Sequence, residues 1–189
     1  YTAKKFFAPF TASILDEETS MAVYVLNEQR KNQPWQIKAY VKDMENRILW
    51  QGEAEGSLAP MSVSCALQED FASLVKGRER DTYFEYQLFE NGRLVQNDVA
   101  FFAKPKHLNL PVSPLSCTVE ETEDAFLLRL SAPRIAHRVE IDLTEADAVF
   151  SDNYFTLTGE ERTVVLEKQN LSAALTRKEL EQQLTLRSL

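Results

Sequence analysis

Clustered carboxylates are the first candidates for a catalytic role in this sequence. The run LDEET (Leu15–Thr19) and the run EETED (Glu120–Asp124) each hold several acids. Two carboxylic groups that face each other across a sugar can break a glycosidic bond, but one of them needs a pKa that burial has raised. Both runs are predicted to lie at turns, where charges stay solvated, so we expect neither to be catalytic.

The motifs of other catalytic and binding sites are missing from the sequence. It has no Gly-x-Ser-x-Gly nucleophile motif, its five glycines form no phosphate-binding loop, and no Cys/His spacing fits zinc. His107 and His137 stand alone and are expected at the surface or at a strand edge. We therefore expect this chain to contain no catalytic residue and to bind neither a cofactor nor a metal.

Several aromatic residues could form a platform for sugar rings, because aromatic faces pack on the apolar faces of pyranoses. Most of them lie at core-facing positions of predicted strands, which favours a core or an interface. The aromatics concerned are Trp35, Trp50, Tyr24, Tyr40, Tyr83 and Tyr86. Tyr40 and Trp50 are kept as candidate sugar-binding or interface residues, and Tyr40 would be tested first because it lies opposite the Trp35 face.

The stretch FSDNYFTLTGE (residues 150–160) could be a catalytic loop or a corner between two strands. The side chains of Asp152 and Asn153 can bind nearby backbone N–H groups and tolerate unusual backbone angles. Tyr154 is expected to bury its ring and to bond its hydroxyl to the backbone, as the tyrosine corner of β-sandwiches does. These features favour a structural corner, built from Phe150, Asp152, Asn153, Tyr154, Phe155 and Gly159.

Alternating apolar and polar residues indicate the strands that would position these side chains. Residues 35–43 alternate with a period of two, which predicts a half-buried strand. The same reasoning places Val63, Cys65 and Leu67 on one face of a later strand. Residues 82–102 are predicted to form a hairpin, because the pair Asn91–Gly92 supplies the positive φ angles that a type I′ turn requires.

A proline-rich stretch divides the chain into two halves with the same strand pattern. Residues 105–114 hold three prolines, which predicts a stiff linker. We therefore expect a first β-sandwich over residues 1–104 and a smaller one over residues 115–189. A short helix begins near the capping pair Thr176 and Glu179 and is followed by a last strand. The predicted fold class is all-β, with two tandem immunoglobulin-like antiparallel sandwiches and a short helix near the C-terminus.

Charge and cysteine usage restrict the partners and the compartment. The net charge of −8 at pH 7 repels phosphate backbones and anionic membrane surfaces, so no nucleic acid or membrane partner is expected. The sequence shows no signal peptide and no membrane-spanning run. Cys65 and Cys117 fall in alternating apolar patterns and are expected to be buried, unpaired and in different domains. These features favour a reducing, cytoplasmic compartment.

Four segments of the chain resemble the C-terminal portion of β-mannosidases of glycoside hydrolase family 2. They are AKKFFAPF (residues 3–10), FFAKPKHLNLP (residues 101–111), FSDNYFTLTGEERTVVLE (residues 150–167) and the terminal LTLRSL. The resemblance covers nearly the whole chain. Its most specific part is the SDNYF corner with the Gly turn that follows, although Thr156 stands where that family frequently has Asp.

The resemblance implies a non-catalytic piece of a longer enzyme. The family's two catalytic glutamates lie in a (β/α)8 barrel, and no segment here resembles a barrel, so no catalytic residue can be carried over. Residues 1–10 would leave the last barrel helix. The expected partner is that barrel, in the same polypeptide, against which one face of the first sandwich would pack near Phe6, Phe7 and Pro9. The expected reaction of the parent is hydrolysis of terminal β-mannosyl linkages with retention.

Three alternatives stay open at the level of the sequence. The parent could be an exo-β-glucosaminidase or another family 2 glycosidase, since related enzymes carry a similar corner. The chain could also be an independent carbohydrate-binding module, which predicts measurable affinity for sugars through exposed aromatics. Finally, it could be a protein-interaction module of the adhesion type, with a partner other than a barrel.

Overall fold

The alternating patterns become β-strands in the computed structural model, which describes residues 8–189. These residues form two compact units, one that ends at Asn109 and one that spans Leu110–Leu189. Both are built from antiparallel sheets, so the predicted all-β class is confirmed. Within the described part, no helix is long and apolar enough to cross a membrane.

The first unit is a sandwich of two antiparallel sheets. A three-stranded sheet has the order β1-β2-β5 and a four-stranded sheet has the order β4-β3-β6-β7. Their inner faces meet in a core that includes Val23, Ile37, Val41, Phe84 and Leu88, all with no exposed surface. The strands are β1 (Phe10–Glu17), β2 (Ser20–Asn27), β3 (Gln33–Asp43), β4 (Ile48–Leu58), β5 (Ser62–Asp70), β6 (Thr82–Glu90) and β7 (Arg93–Phe101).

Two connections in the first unit are a helical turn and a hairpin. A single helical turn, α1 (Ala72–Val75), carries the chain from β5 in one sheet to β6 in the other, with Val75 fully buried. The β6–β7 hairpin turns at Asn91 and Gly92, whose φ angles are 50° and 77°. Positive φ at both positions is the requirement of a type I′ turn, so this hairpin prediction is confirmed.

The second unit is a smaller sandwich of two three-stranded sheets, in the orders β12-β9-β8 and β11-β10-β13. Phe126, Leu128, Val139 and Val164 lie in its core with no exposed surface. The elements are β8 (Ser116–Glu121), β9 (Ala125–Ser131), β10 (Ala136–Leu143), β11 (Phe155–Leu157), β12 (Arg162–Glu167), α2 (Arg177–Gln183) and β13 (Leu184–Arg187).

The C-terminal helix begins as its sequence predicts. The hydroxyl of Thr176 accepts a hydrogen bond from the backbone N–H of Glu179, and the Glu179 carboxylate accepts one from the backbone N–H of Thr176. This reciprocal pair is a capping box, which satisfies two donors that the helix leaves without partners. The last strand, β13, then pairs with β10 at the edge of its sheet, as expected.

The first half of β5 faces the opposite way from the prediction. The register with β2 shifts between Val23 and Tyr24, so that Val23 pairs with Leu67 while Tyr24 pairs with Cys65. The extra residue, Ala66, is a β-bulge, and a one-residue change of register turns a strand's side chains over. Cys65 is therefore exposed instead of buried, whereas Leu67 packs on the core.

Two other segments differ from a simple strand or linker. Residues 148–151 form only one isolated bridge, between Ala148 and Leu171. Within the predicted linker, Pro105–His107 form a 3₁₀ turn, and the chain then runs without regular structure to β8. Cys117 is half-buried, and both cysteines are free thiols.

Candidate functional site

The acidic run at residues 120–124 lies at the β8–β9 turn, and all of its side chains are exposed. Lys168 donates to the Glu121 carboxylate at 2.8 Å, and the backbone N–H of Arg177 donates to the same group. The hydrogen bond from Lys168 is the largest cause that holds the pKa of Glu121 below its usual range. A glycosidase general acid requires the opposite shift, so Glu121 does not meet that requirement.

Other acids with perturbed pKa values behave in the same way. The pKa values of Asp70, Glu79 and Glu179 are all lowered, chiefly by hydrogen bonds from backbone N–H groups, and these side chains are solvated. Each is thereby held as a carboxylate and is unsuited to act as a general acid near neutral pH. Among the residues that the structure describes, no three His, Cys, Asp or Glu side chains converge on a possible metal position.

The 150–160 stretch forms a corner whose central residue is Asn153. The Asn153 side chain donates to the backbone C=O of Ile141 and accepts from the backbone N–H of Ile141, both at 2.8 Å. Its Oδ1 also accepts from the backbone N–H of Tyr154 at 3.0 Å. Because Asn153 is only 7 % exposed, its amide acts as one rung of a β-ladder against the buried strand β10.

The residues that flank Asn153 hold the corner in place. Phe150 and Phe155 are buried at 3 % exposure each. The Asp152 carboxylate accepts from the backbone N–H of Asn153 and pairs with the Arg162 guanidinium. That guanidinium lies 4.5 Å from the centre of the Phe155 ring, which adds a cation–π contact. The residues at this corner thus bind one another.

Tyr154 does not bury its ring as the sequence suggested. It is 55 % exposed, and its hydroxyl donates to the Glu140 carboxylate at 3.2 Å instead of to the backbone. The cause is its backbone, because a φ of 59° turns the side chain outward between the buried Asn153 and Phe155. Gly159, with φ at 97°, makes the next turn as expected.

Thr156 and His137 form a polar pair on neighbouring strands. Nδ1 of His137 lies 3.0 Å from the Thr156 hydroxyl, and His137 is half-buried on β10. Burial is the largest cause that lowers the pKa of His137, with a smaller contribution from the nearby Arg138. A neutral imidazole can form a hydrogen bond with a hydroxyl group, so a threonine suits this position. His107, in contrast, is exposed.

The aromatics Tyr40 and Trp50 are not part of an open platform. Tyr40 is half-buried on the outer face of β3, and the Lys42 ammonium lies 5.1 Å from the centre of its ring. Trp50 packs edge-on against Phe71, with ring centres 4.8 Å apart, at the margin of the core. Trp35 likewise packs against the core and leans over Gly56 on the adjacent strand.

A groove of about 1110 Å³ opens between the edge strands β1 and β7. Its apolar lining includes Ile14, Ala100 and Phe102, and its polar lining includes the four acids Asp16, Glu18, Glu79 and Asp98. Lys104 is the basic residue among the described lining residues. The groove is therefore apolar along part of its lining and strongly negative elsewhere.

Gln96 spans one end of this groove and was not identified from the sequence. Its side chain accepts from the backbone N–H of Ala12 at 3.0 Å and donates to the backbone C=O of Ala12 at 2.9 Å. It also donates to the Tyr86 hydroxyl at 2.6 Å, and Tyr86 donates to the same C=O. The hairpin register could have revealed it, because Gln96 pairs with the core residue Leu88 and so points inward from an edge strand.

The described residues form two tandem antiparallel sandwiches, each with its own core. Comparison with known protein families identifies the kind of domain that each sandwich is. Residues 19–107 match the mannosidase Ig/CBM-like domain, and residues 110–189 match the Ig-fold domain of mannosidases. The chain therefore consists of the C-terminal immunoglobulin-like domains of a mannosidase-like protein.

Solved structures with the same fold belong to larger proteins. The chain superimposes over its whole length on a β-D-mannosidase from Dictyoglomus thermophilum, with 20% identity and a TM-score of 0.84. It also superimposes over its whole length on an exo-chitosanase from Amycolatopsis orientalis, with 12% identity and a TM-score of 0.63. It covers only 22% and 27% of those two chains, respectively. No curated protein sequence matches it.

Proposed function

We propose that this chain is the non-catalytic accessory part of a β-mannosidase-like retaining exo-glycosidase of glycoside hydrolase family 2, and that it buttresses the catalytic (β/α)8 barrel. The observation that carries the proposal is the match of both sandwiches, in order and over the whole chain, to about a fifth of a solved mannosidase. The barrel would supply two carboxylates about 5 Å apart, which is the spacing of retaining enzymes.

The electrostatics of the described residues favour a structural, non-catalytic role for this chain. The acids with shifted pKa values are solvated and held ionised by backbone or lysine donors. The fully buried acid, Glu85, pairs with Lys42 at 2.7 Å on the outer face of a sheet. Hydrolysis with retention needs a protonated acid and a nucleophilic carboxylate that face one substrate, and these residues serve the fold instead.

The test compares the full-length polypeptide with this chain alone. The full-length protein is expected to hydrolyse an aryl β-mannoside, and this chain to show no rate above that of buffer. A truncated protein without residues 1–189 is expected to lose thermal stability in the barrel. Hydrolysis by the isolated chain at the rate of the full-length protein contradicts the proposal. A higher kcat/KM on an aryl β-glucosaminide would change the parent's sugar but not the role of this chain.

A second candidate function is carbohydrate binding in the groove between β1 and β7. The groove combines an apolar lining with four carboxylates, and carboxylates can bind sugar hydroxyls. Calorimetric titration of this chain with manno- and glucosamine oligosaccharides tests it, with Asp98→Asn as the matched variant. A heat of binding that Asp98→Asn weakens supports a binding module, and the absence of heat with either sugar refutes it.

A further inference from the structure

The outer face of the β1-β2-β5 sheet carries no charge except at one end, where Glu17 and Asp70 lie on either side of Ser20. In β2 the side chains of Met21, Val23 and Val25 point into the core, so Ala22, Tyr24 and Leu26 point outward. Residues paired across antiparallel strands share a face, and the registers therefore extend this surface onto β1 and β5. We call it the neutral face, and it consists of Thr11, Ser13, Leu15, Ala22, Tyr24, Leu26, Val63 and Cys65.

The neutral face has the composition of a protein interface. Charged residues make up 26% of the chain, yet none lies among these eight positions. Leu15 is 48 % exposed, Val63 is 60 % exposed and Cys65 is exposed, while Tyr24 is half-buried at the centre. Interface cores are depleted in charge and enriched in aromatic residues, and a contiguous apolar surface on a soluble domain marks a place where something binds.

The outer face of the other sheet has a different character. There Lys38 pairs across the strands with Glu53, and Lys42 forms its ion pair with Glu85. Charges of both signs therefore lie on that face, and the Lys42–Glu85 pair is buried. The two outer faces of one sandwich thus differ in kind, which singles out the neutral face.

We propose that the neutral face packs against the catalytic barrel of the same polypeptide; this assignment rests on the proposed function. The solved mannosidase is more than four times as long as the part that this chain matches, so a large neighbouring domain is available. The family resemblance implies that the barrel precedes residue 1, and β1 is the nearest described strand in the sequence. Elements adjacent in sequence are usually adjacent in space, and β1 contributes Thr11, Ser13 and Leu15 to the face.

Cys65 provides a native probe of this contact. It lies in the neutral face and is exposed, so in the isolated chain a maleimide should label it readily. Cys117 is an internal control, because burial, and to a lesser extent Glu181, raises its pKa to about 11 and keeps it slow to react. A second control is Glu53→Cys, which places an exposed thiol on the charged outer face.

The experiment measures labelling rates by mass spectrometry in the isolated chain and in the full-length polypeptide. We expect Cys65 to react at least about tenfold more slowly in the full-length protein, while Glu53→Cys reacts at the same rate in both. Equal rates for Cys65 in both proteins overturn the assignment. Protection of Cys65 in the isolated chain that increases with its concentration also overturns it, because the occupant would then be a second copy.

A substitution separates this inference from the proposed function. Val63→Lys is expected to leave the unfolding temperature of the isolated chain unchanged, because the position is exposed. In the full-length protein it should restore fast labelling of Cys65. If the full-length protein hydrolyses a β-mannoside but Cys65 stays reactive, the proposed function stands and the packing of the neutral face on the barrel is refuted. If the full-length protein has no glycosidase activity while Cys65 is protected, the neutral face is covered by a neighbouring domain and the proposed glycosidase function is refuted.

Discussion

Replacing Asn153 by alanine tests whether one side-chain amide holds the corner of the second sandwich. The change removes two 2.8 Å hydrogen bonds to the backbone of Ile141, which is 2 % exposed. Each buried polar group left without a partner costs about 1–3 kcal/mol. Two such groups give a range of about 2–6 kcal/mol, and we take about 3 kcal/mol, in the lower half of that range, as the expected loss. In a domain of 60–100 residues each kcal/mol lowers Tm by about 4–8 °C, so we expect a decrease of about 12–24 °C.

The assay can separate the two domains because both tryptophans, Trp35 and Trp50, lie in the first one. Calorimetry should show one transition that moves in Asn153→Ala, while unfolding followed by tryptophan fluorescence stays where it is. Asn170→Ala is the matched control, since Asn170 is exposed in the same domain and its contact with Val149 uses only its backbone C=O. That control should change Tm by less than about 2 °C.

A second substitution tests the direction of these hydrogen bonds. Asn153→Asp keeps the acceptor for the N–H of Ile141 but places a carboxylate against its C=O. Protonation would restore a donor, so this variant should become more stable relative to the wild type as the pH falls. If Asn153→Ala unfolds within about 0.5 kcal/mol of the wild type, water replaces the amide at no cost and the ladder-rung interpretation fails.

Three further outcomes follow from single contacts. Hydrogen bonds from Thr176 lower the pKa of Glu179 below 4.5, so Glu179 stabilises the fold above that pH and ceases to as the pH falls through its lowered pKa. The difference in urea midpoint between wild type and Glu179→Gln should therefore shrink below pH 4.5, and a constant difference contradicts this. Gly56→Ala would place a Cβ 2.8 Å from Cζ2 of Trp35; we expect a loss of about 1–3 kcal/mol in chemical denaturation, which Trp35→Leu relieves. Tyr154→Gly should change stability by less than about 1 kcal/mol, because glycine tolerates the φ of 59°; a loss of about 3 kcal/mol or more would indicate a buried ring.

Features that depend on a few neighbouring residues could be predicted from the sequence. The Asn91–Gly92 turn and the capping box at Thr176 are set by local backbone angles and local hydrogen bonds, and both are present as predicted. The face of Cys65 could not be predicted in this way. It depends on the bulge at Ala66, which arises from the pairing of β5 with β2 about forty residues earlier in the chain.

The corner shows the same limit within a single motif. That residues 150–160 form a corner was foreseeable from the Asp-Asn pair and the glycine that follows. The sequence did not indicate which of the two side chains, Asn153 or Tyr154, is buried, because this depends on one positive φ angle. The partner of Asn153 lies twelve residues upstream, in β10, and only the register of that strand brings it close.

Side-chain amides, two of them buried and one half-buried, bind backbone groups in both sandwiches. Gln96 binds the backbone N–H and C=O of Ala12 on edge strand β1, and Asn153 binds the same two groups of Ile141 on β10. Asn27, which is 1 % exposed, donates to the C=O groups of Leu58 and Ala59 and accepts from the N–H of Gln29. In the first two cases the amide occupies a place where another strand would otherwise supply a rung. An amide matches one donor and one acceptor, so it fixes a single register that apolar packing alone would not specify.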